Sequence, residues 1–247
     1  VQTCALPILN LAACLAAAGH KMLLVDLDSQ ANATSGLGLD KEEGGSVYRP
    51  LLGDGTVMER IKPTAFPNLS VVPSEMDLCG AEIELARSED YLNRLKSCLA
   101  PVAASGGYSL IILDCPPSLG ILTLNSFSAA NRLLVPLQCE YYALEGIAMI
   151  TRILNQVRDT GLNPTLSLLG VVMTMFDART KLSQTVVGEV RDHFKELVFD
   201  TVIPRTTRVA EAPSFGKPII HYDPYSAGAA AYEVLAGEVS RRLGLTH

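Results

Sequence analysis

An excess of basic charge is missing from this sequence. Its 20 Lys and Arg stand against 26 Asp and Glu, giving a net charge of -6 and a pI near 5.3. That excludes a uniformly basic nucleic-acid binder and leaves only a local patch for such a role. Paired cysteines are missing too. Cys4, Cys14, Cys79, Cys98, Cys115 and Cys139 are scattered, with no CxxC pair and no Cys/His cluster of zinc spacing. Neither a disulfide framework nor a structural metal is expected, and free thiols fit a reducing cytosol. No apolar run reaches the roughly 18 residues of a membrane-spanning helix without a charge or a turn signal. The apolar stretch over 5–18 has no basic segment before it and leads straight into a strand, so it does not read as a signal peptide. Repeats, linkers and low-complexity segments are also absent, and 247 residues suit one α/β domain with a full core.

What is present is an alternation of apolar strands and helical patterns. A nearly all-apolar helix is predicted over 8–18, closed by Gly19 in a left-handed cap, with a strand over 22–27 directly after it. A short helix is expected near 47–52, and further strands over 69–72, 108–113, 133–137, 166–175 and 197–203. Between them fall a helix over 88–100 striped by Leu92, Leu95 and Leu99, one marked by Ile147, Ile150, Leu154 and Val157, and one marked by Val186, Val190 and Phe194. Tyr232, Leu235, Val239 and Leu243 mark a closing helix. Strand and helix in turn specify βαβ units, hence an α/β fold with a mostly parallel sheet and helices on both faces. The run over 108–113 is continuously apolar, as expected of a parallel strand covered on both faces.

Chemistry is expected where strands end in carboxylates. Asp26 and Asp28 close the strand over 22–27, and Asp114 closes the one over 108–113. Ligands of open α/β sheets bind at the carboxyl ends of parallel strands, and strand alternation would place Asp26 and Asp28 on one face. A Mg-nucleotide site needs one carboxylate to orient an attacking water and another to hold the metal's hydration shell, so phosphoryl transfer is the reaction class indicated. The same residues also fit a strand end with ordinary N-cap aspartates. Cys115 and Cys139 read as buried structural thiols.

Five stretches then carry a resemblance: VDLDSQANATSGLG, LIILDCPPSLG, VPLQCEYYALEG, TMFDART and VIPRTTRVAEAPSFGKPIIHYDP, in that order. Together they resemble the chromosome and plasmid partitioning ATPases of the ParA/Soj family, deviant Walker-A members of the P-loop NTPase fold. The resemblance runs from about Leu9 to the C-terminus, which sets 9–247 apart as a ParA-type ATPase domain from 1–8 as a non-homologous junction. It implies a role for each matching position. Asp28 would position the hydrolytic water and Asp114 would contact Mg2+ through water. Asp26, Gln30 and Asn32 would belong to the switch segment around the γ-phosphate, and Pro204 and Arg205 to the loop over the adenine. Arg179 and Arg208 would hold DNA phosphates without reading sequence, although Asp177 and Glu211 dilute any basic patch there. The cofactors implied are ATP and Mg2+. The partners implied are a second copy of the chain on ATP, non-specific DNA and a centromere-binding ParB-like protein, with no membrane. The location implied is the cytoplasm, on the nucleoid.

The sequence also departs from the family. The glycine-rich KGGxGKTT loop, which should lie between the first strand and the first helix, is absent. Aligning Asn10, Leu11 and Ala12 to the family's TTTAxNLA puts Cys4 at the loop lysine, Ala5 at the Mg-binding threonine, and the signature lysine before Val1. VQTCALPI contains neither glycine nor lysine, so it offers no inward-turned backbone N–H groups and no cation for phosphates. The resemblance therefore implies a chain without the family's first strand and phosphate loop, truncated at its N-terminus, whose neighbouring strands lose ladder partners. It leaves a non-catalytic remnant of the fold as the alternative function. Smaller departures are Ser29 and Ala31, where the family has Pro and Gly, and Thr206, where it has Asn. Alanine at 31 is expected to close that position to positive φ.

Overall fold

The computed structural model describes residues 5–141 and 143–245. Its strands are β1 (Met22–Asp26), β2 (Lys62–Pro63), β3 (Leu69–Val72), β4 (Leu110–Asp114), β5 (Arg132–Gln138), β6 (Ser167–Phe176) and β7 (Val198–Pro204). They form two sheets, ordered β2-β3-β1-β4 and β5-β6-β7. All pairings are parallel except β2 with β3. The helices are α1 (Ala5–Ala17), α2 (Asn32–Gly36), α3 (Tyr48–Leu52), α4 (Ala81–Leu85), α5 (Arg94–Ala104) and α6 (Ile121–Ala129), then α7 (Ala143–Asp159), α8 (Lys181–Phe194), α9 (Thr207–Glu211), α10 (Ile219–Tyr222) and α11 (Ala227–Leu243). Among the described residues, no helix is long and apolar enough to cross a membrane.

Alternation along β1 builds a core on each side of the sheet. Met22 and Leu24 face a cluster containing Leu11 and Leu15 of α1 with Tyr232 and Leu235 of α11. Leu23 and Val25 face the other way, against Leu95 and Leu99 of α5 and Leu122 of α6. The cluster around α1 also takes in Val172 of β6 and Phe199 and Ile203 of β7. One helical layer therefore holds both sheets, while the far side of the second sheet is covered by Val186 and Val190 of α8. The expected cap is present as well, since Gly19 lies at φ +96°.

The strand expected to be covered on both faces is packed on both, Leu110 and Ile112 against the first cluster and Ile111 and Leu113 against the second, but it ends its sheet. Leu110, Ile111, Ile112 and Leu113 are only half-buried, because β4 pairs with β1 alone and no described strand joins it to β5. A continuous apolar run marks a strand built for burial but cannot report whether its second neighbour is there. The helix expected over 88–100 also differs, beginning at Arg94, with Leu92 in the preceding turn. Asp90 at φ +54° and its carboxylate, bonded to the Asn93 amide at 2.6 Å, hold that turn. The α5 N-terminus is capped from outside by Asn125 of α6, whose Oδ1 accepts from the Leu95 N–H at 3.1 Å.

Candidate functional site

The parallel register places Asp26 opposite Asp114 at the carboxyl ends of β1 and β4. Leu27 N–H donates to the Asp114 carbonyl at 2.9 Å, so the pairing continues one residue past Asp26. Asp28 stands beyond the strand, in the loop, so strand alternation does not place it. Its position comes from hydrogen bonds instead: its N–H donates to Asp26 Oδ1 at 3.2 Å and its Oδ1 accepts from Gln30 N–H at 3.0 Å.

Asp26 is fully buried and tied to α2. Its Oδ2 accepts from Thr34 N–H at 2.8 Å and from Thr34 Oγ1 at 2.6 Å, and Thr34 Oγ1 in turn accepts from Ser74 N–H at 2.9 Å. Burial pushes the Asp26 pKa up, against the pull of these hydrogen bonds. Asp114 is buried too, and its Oδ2 has no partner. Burial first, then the nearby charges of Asp26 and Asp28, raise its pKa well above the ordinary carboxylate range. The three aspartates thus crowd together, and Asp114 keeps one buried oxygen that no described group bonds. A divalent cation that keeps most of its water, as Mg2+ does, fits this donor set. Among the described residues, no three His, Cys, Asp or Glu side chains are grouped to hold a metal ion directly.

The switch segment is held in an unexpected conformation. Ala31, fully buried at the N-cap of α2, sits at φ 53°, ψ 41°, so alanine does occupy the left-handed region that the sequence seemed to close. The Ala31 N–H donates to the Asp28 carbonyl at 2.8 Å and fixes the turn. Left-handed strain of about 1–2 kcal/mol is opposed by about 0.8 kcal/mol of buried methyl and about 0.5–1 kcal/mol of extra unfolded-state entropy for glycine. Ala31→Gly is therefore expected to be nearly neutral in urea unfolding. Ala31→Val should destabilise by more than about 2 kcal/mol, because a β-branched residue fits neither the φ nor the space.

The remaining predicted positions fall in different places. Gln30 is exposed, and its carbonyl accepts from Lys41 Nζ at 2.6 Å; Asn32 is half-buried as the first residue of α2. Pro204 ends β7 in the other sheet, opposite Phe176, and the exposed Arg205 donates its N–H to the Phe176 carbonyl at 2.9 Å. Arg179 and Arg208 are exposed on the turn after β6 and on α9. The structure thus brings Asp26, Asp28 and Asp114 together and sets Pro204 and Arg205 beside the turn that carries Arg179. Thr206 caps α9, accepting from Val209 N–H at 3.2 Å. Cys139 is buried, with its thiol pushed up to about 11, but Cys115 is half-exposed because it lies past the end of β4. Cys4 lies outside the described residues.

Sequence reasoning missed Thr34, Ser74 and Lys41. Only Thr34 left a signal, as a hydroxyl in the polar NATSG turn eight residues after Asp26.

Comparison with known proteins gives a consistent picture. Residues 5–168 match the AAA domain family. The chain is 48% identical over 235 residues to the chromosome partitioning protein ParA of Myxococcus xanthus, covering 95% of this chain and 82% of the relative. It is 50% identical to the sporulation initiation inhibitor protein Soj of Bacillus subtilis, covering 94% and 90%. Among solved structures, cobyrinic acid a,c-diamide synthase from Mycobacterium smegmatis with bound ADP and magnesium superposes with a TM-score of 0.82 at 35% identity, over 98% of this chain and 90% of that one. With the strand-end aspartates in register, a parallel α/β architecture and near-complete coverage by partitioning proteins, the chain belongs to the ParA/Soj family of partitioning ATPases.

Proposed function

We propose that this chain acts in partitioning chromosomal or plasmid DNA, as a homodimer formed on ATP and Mg2+ that binds DNA without reading sequence and answers to a centromere-binding, ParB-like partner. Its place would be the cytoplasm, on the nucleoid, with no membrane step. The observation that carries this reading is the buried, unpartnered Asp114 Oδ2 beside Asp26 and Asp28. Such a site calls for a cation, and the relatives' names call for a nucleotide. Asp114 would hold the hydration shell of Mg2+, Asp28 would position the attacking water, and Asp26, Gln30 and Asn32 would shape the switch segment. Bound there, Mg2+ would screen phosphate charge. Pro204 and Arg205 would cover the base, and residues 9–247 would form the working domain.

The phosphates themselves fit less well. Residues 1–8 supply no glycine and no lysine, and each hydrogen bond to a charged phosphate is worth roughly 1.5–3 kcal/mol. Losing two weakens nucleotide binding by about 10²- to 10⁴-fold. That observation favours a second reading, a non-catalytic member that keeps the fold and partner face but has no nucleotide cycle. Sedimentation with ATP and Mg2+ against ADP and Mg2+ separates the two. A dimer on ATP alone supports the first, and the same mass under both conditions leaves the second. Under the first reading Arg179→Ala and Arg208→Ala should each weaken binding to arbitrary DNA with ATP present and lower the salt slope by about 1.

A further inference from the structure

Both arginines assigned to DNA are occupied by carboxylates of the same chain. Arg179 donates from Nε to Asp177 Oδ1 at 2.9 Å and from Nη2 to Asp177 Oδ2 at 2.7 Å, a two-pronged pair, and its own N–H adds a third bond to Oδ1 at 3.0 Å. Arg208 lies 3.5 Å from Glu211 Oε2 and 3.4 Å from Asp223 Oδ2. Each DNA-assigned guanidinium thus already has carboxylate partners, one for Arg179 and two for Arg208, which a phosphate would have to compete with.

The two sides of the first pair differ in freedom. Asp177 belongs to a turn pinned on several sides: its carbonyl accepts from Thr180 N–H at 3.1 Å, its N–H donates to Ser183 Oγ at 3.4 Å, and Gln184 Nε2 donates to the Ala178 carbonyl at 2.9 Å. Thr180 then caps α8 by accepting from Ser183 N–H at 3.3 Å. The Arg179 side chain is 89% exposed against 21% for Asp177, so the guanidinium is open to solvent while the carboxylate is held in the turn. Arg205, on the segment proposed to cover the base, also acts on Asp177, and its backbone is tied to Phe176.

We propose that Asp177, with Glu211 and Asp223 on the second arginine, masks the DNA-binding arginines, so that phosphate must displace these internal partners before the surface binds. This rests on the DNA-binding reading above and adds its restraint. In water, a unit charge about 4 Å from a phosphate opposes binding by about 1 kcal/mol, so removing one such carboxylate should tighten binding by about three- to tenfold at low salt. A carboxylate at the far end of α8, beyond the roughly 8 Å screening length of physiological salt, should matter little.

The test is fluorescence anisotropy of the full chain on a short labelled duplex of arbitrary sequence, with ATP and Mg2+, at low and physiological salt. Asp177→Asn should tighten binding about three- to tenfold and the pair Glu211→Gln with Asp223→Asn about ten- to a hundredfold, while Asp192→Asn on α8 should change it less than about twofold. Adding Arg179→Ala to Asp177→Asn should cancel the gain. If Asp177→Asn leaves affinity unchanged or weakens it, or if the gain survives Arg179→Ala, masking is overturned. If Arg179→Ala with Arg208→Ala binds as the unaltered chain does, the DNA reading itself fails, which is a different result from the failure of masking. The Glu211 and Asp223 variants keep the test open should Asp177→Asn perturb its turn.

Discussion

Replacing Asp114 by asparagine should make the protein more stable, by about 1–3 kcal/mol, while removing its response to Mg2+. The expected gain arises because Asp114 Oδ2 is buried without a partner beside two other aspartates. An amide of the same shape carries no charge to desolvate and none to repel Asp26 and Asp28. For a chain of this size the gain corresponds to roughly 3–10 °C in Tm, readable by circular dichroism. It carries a pH signature. The folded pKa of Asp114 is raised, so the folded state holds this proton more tightly than the unfolded state does. Its contribution to stability is complete below the unfolded value of about 3.9 and is lost as pH rises through the raised folded value. Asp26, also raised, acts in the same direction. Unfolding of the unaltered chain should therefore show stability falling with pH across that window, and Asp114→Asn should flatten the fall.

The opposite result is expected at Thr34. Its hydroxyl donates to Asp26 Oδ2 at 2.6 Å and accepts from Ser74 N–H at 2.9 Å, with all three groups buried. Thr34→Val keeps the volume and removes both bonds. A hydrogen bond to a charged group is worth about 1.5–3 kcal/mol, and a buried N–H left without an acceptor costs about 1–3 kcal/mol more, so the loss should be about 3–5 kcal/mol. Thr34→Ser, which retains the hydroxyl, should lose far less. Urea unfolding of the two variants separates the hydrogen-bonding effect from packing. Equal losses would show that the methyl group, not the hydroxyl, holds this junction.

Much of this was legible from local pattern. β1, β3, β5, β6 and β7 fall where apolar runs are bounded by turn residues, and α11 falls on the stripe of Tyr232, Leu235 and Val239. The strand-end aspartates were legible because β1 and β4 each run straight into a carboxylate. What the pattern could not carry was set by distant partners. The half-burial of β4 depends on a neighbour that no local periodicity reports, and the start of α5 depends on an amide from α6. Asp28 was assigned to a strand face because a period of two does not say where pairing stops; its place is fixed by the Asp26 and Gln30 bonds. Ala31 enters the left-handed region because the surrounding turn over-determines it, at a local cost that propensity alone argued against. The nearness of Asp177 to Arg179 was visible as a charge dilution, but the two-pronged pairing needed coordinates.

The proposed site joins the carboxylates of Asp26, Asp28 and Asp114 to a phosphate-binding part to which residues 1–8 contribute no glycine and no lysine. The measurement that bears on it most directly is thermal unfolding of the full chain in buffer, with Mg2+, and with Mg2+ plus ATP at concentrations that saturate a relative carrying the glycine-lysine loop. The expected result is a rise in Tm with Mg2+ that Asp114→Asn abolishes, with little further rise at those ATP concentrations and the full ATP-dependent rise only at about 10²- to 10⁴-fold more ATP. An ATP response that saturates where the relative's does, or one that Asp114→Asn leaves unchanged, or no response to Mg2+ in the unaltered chain, would contradict it.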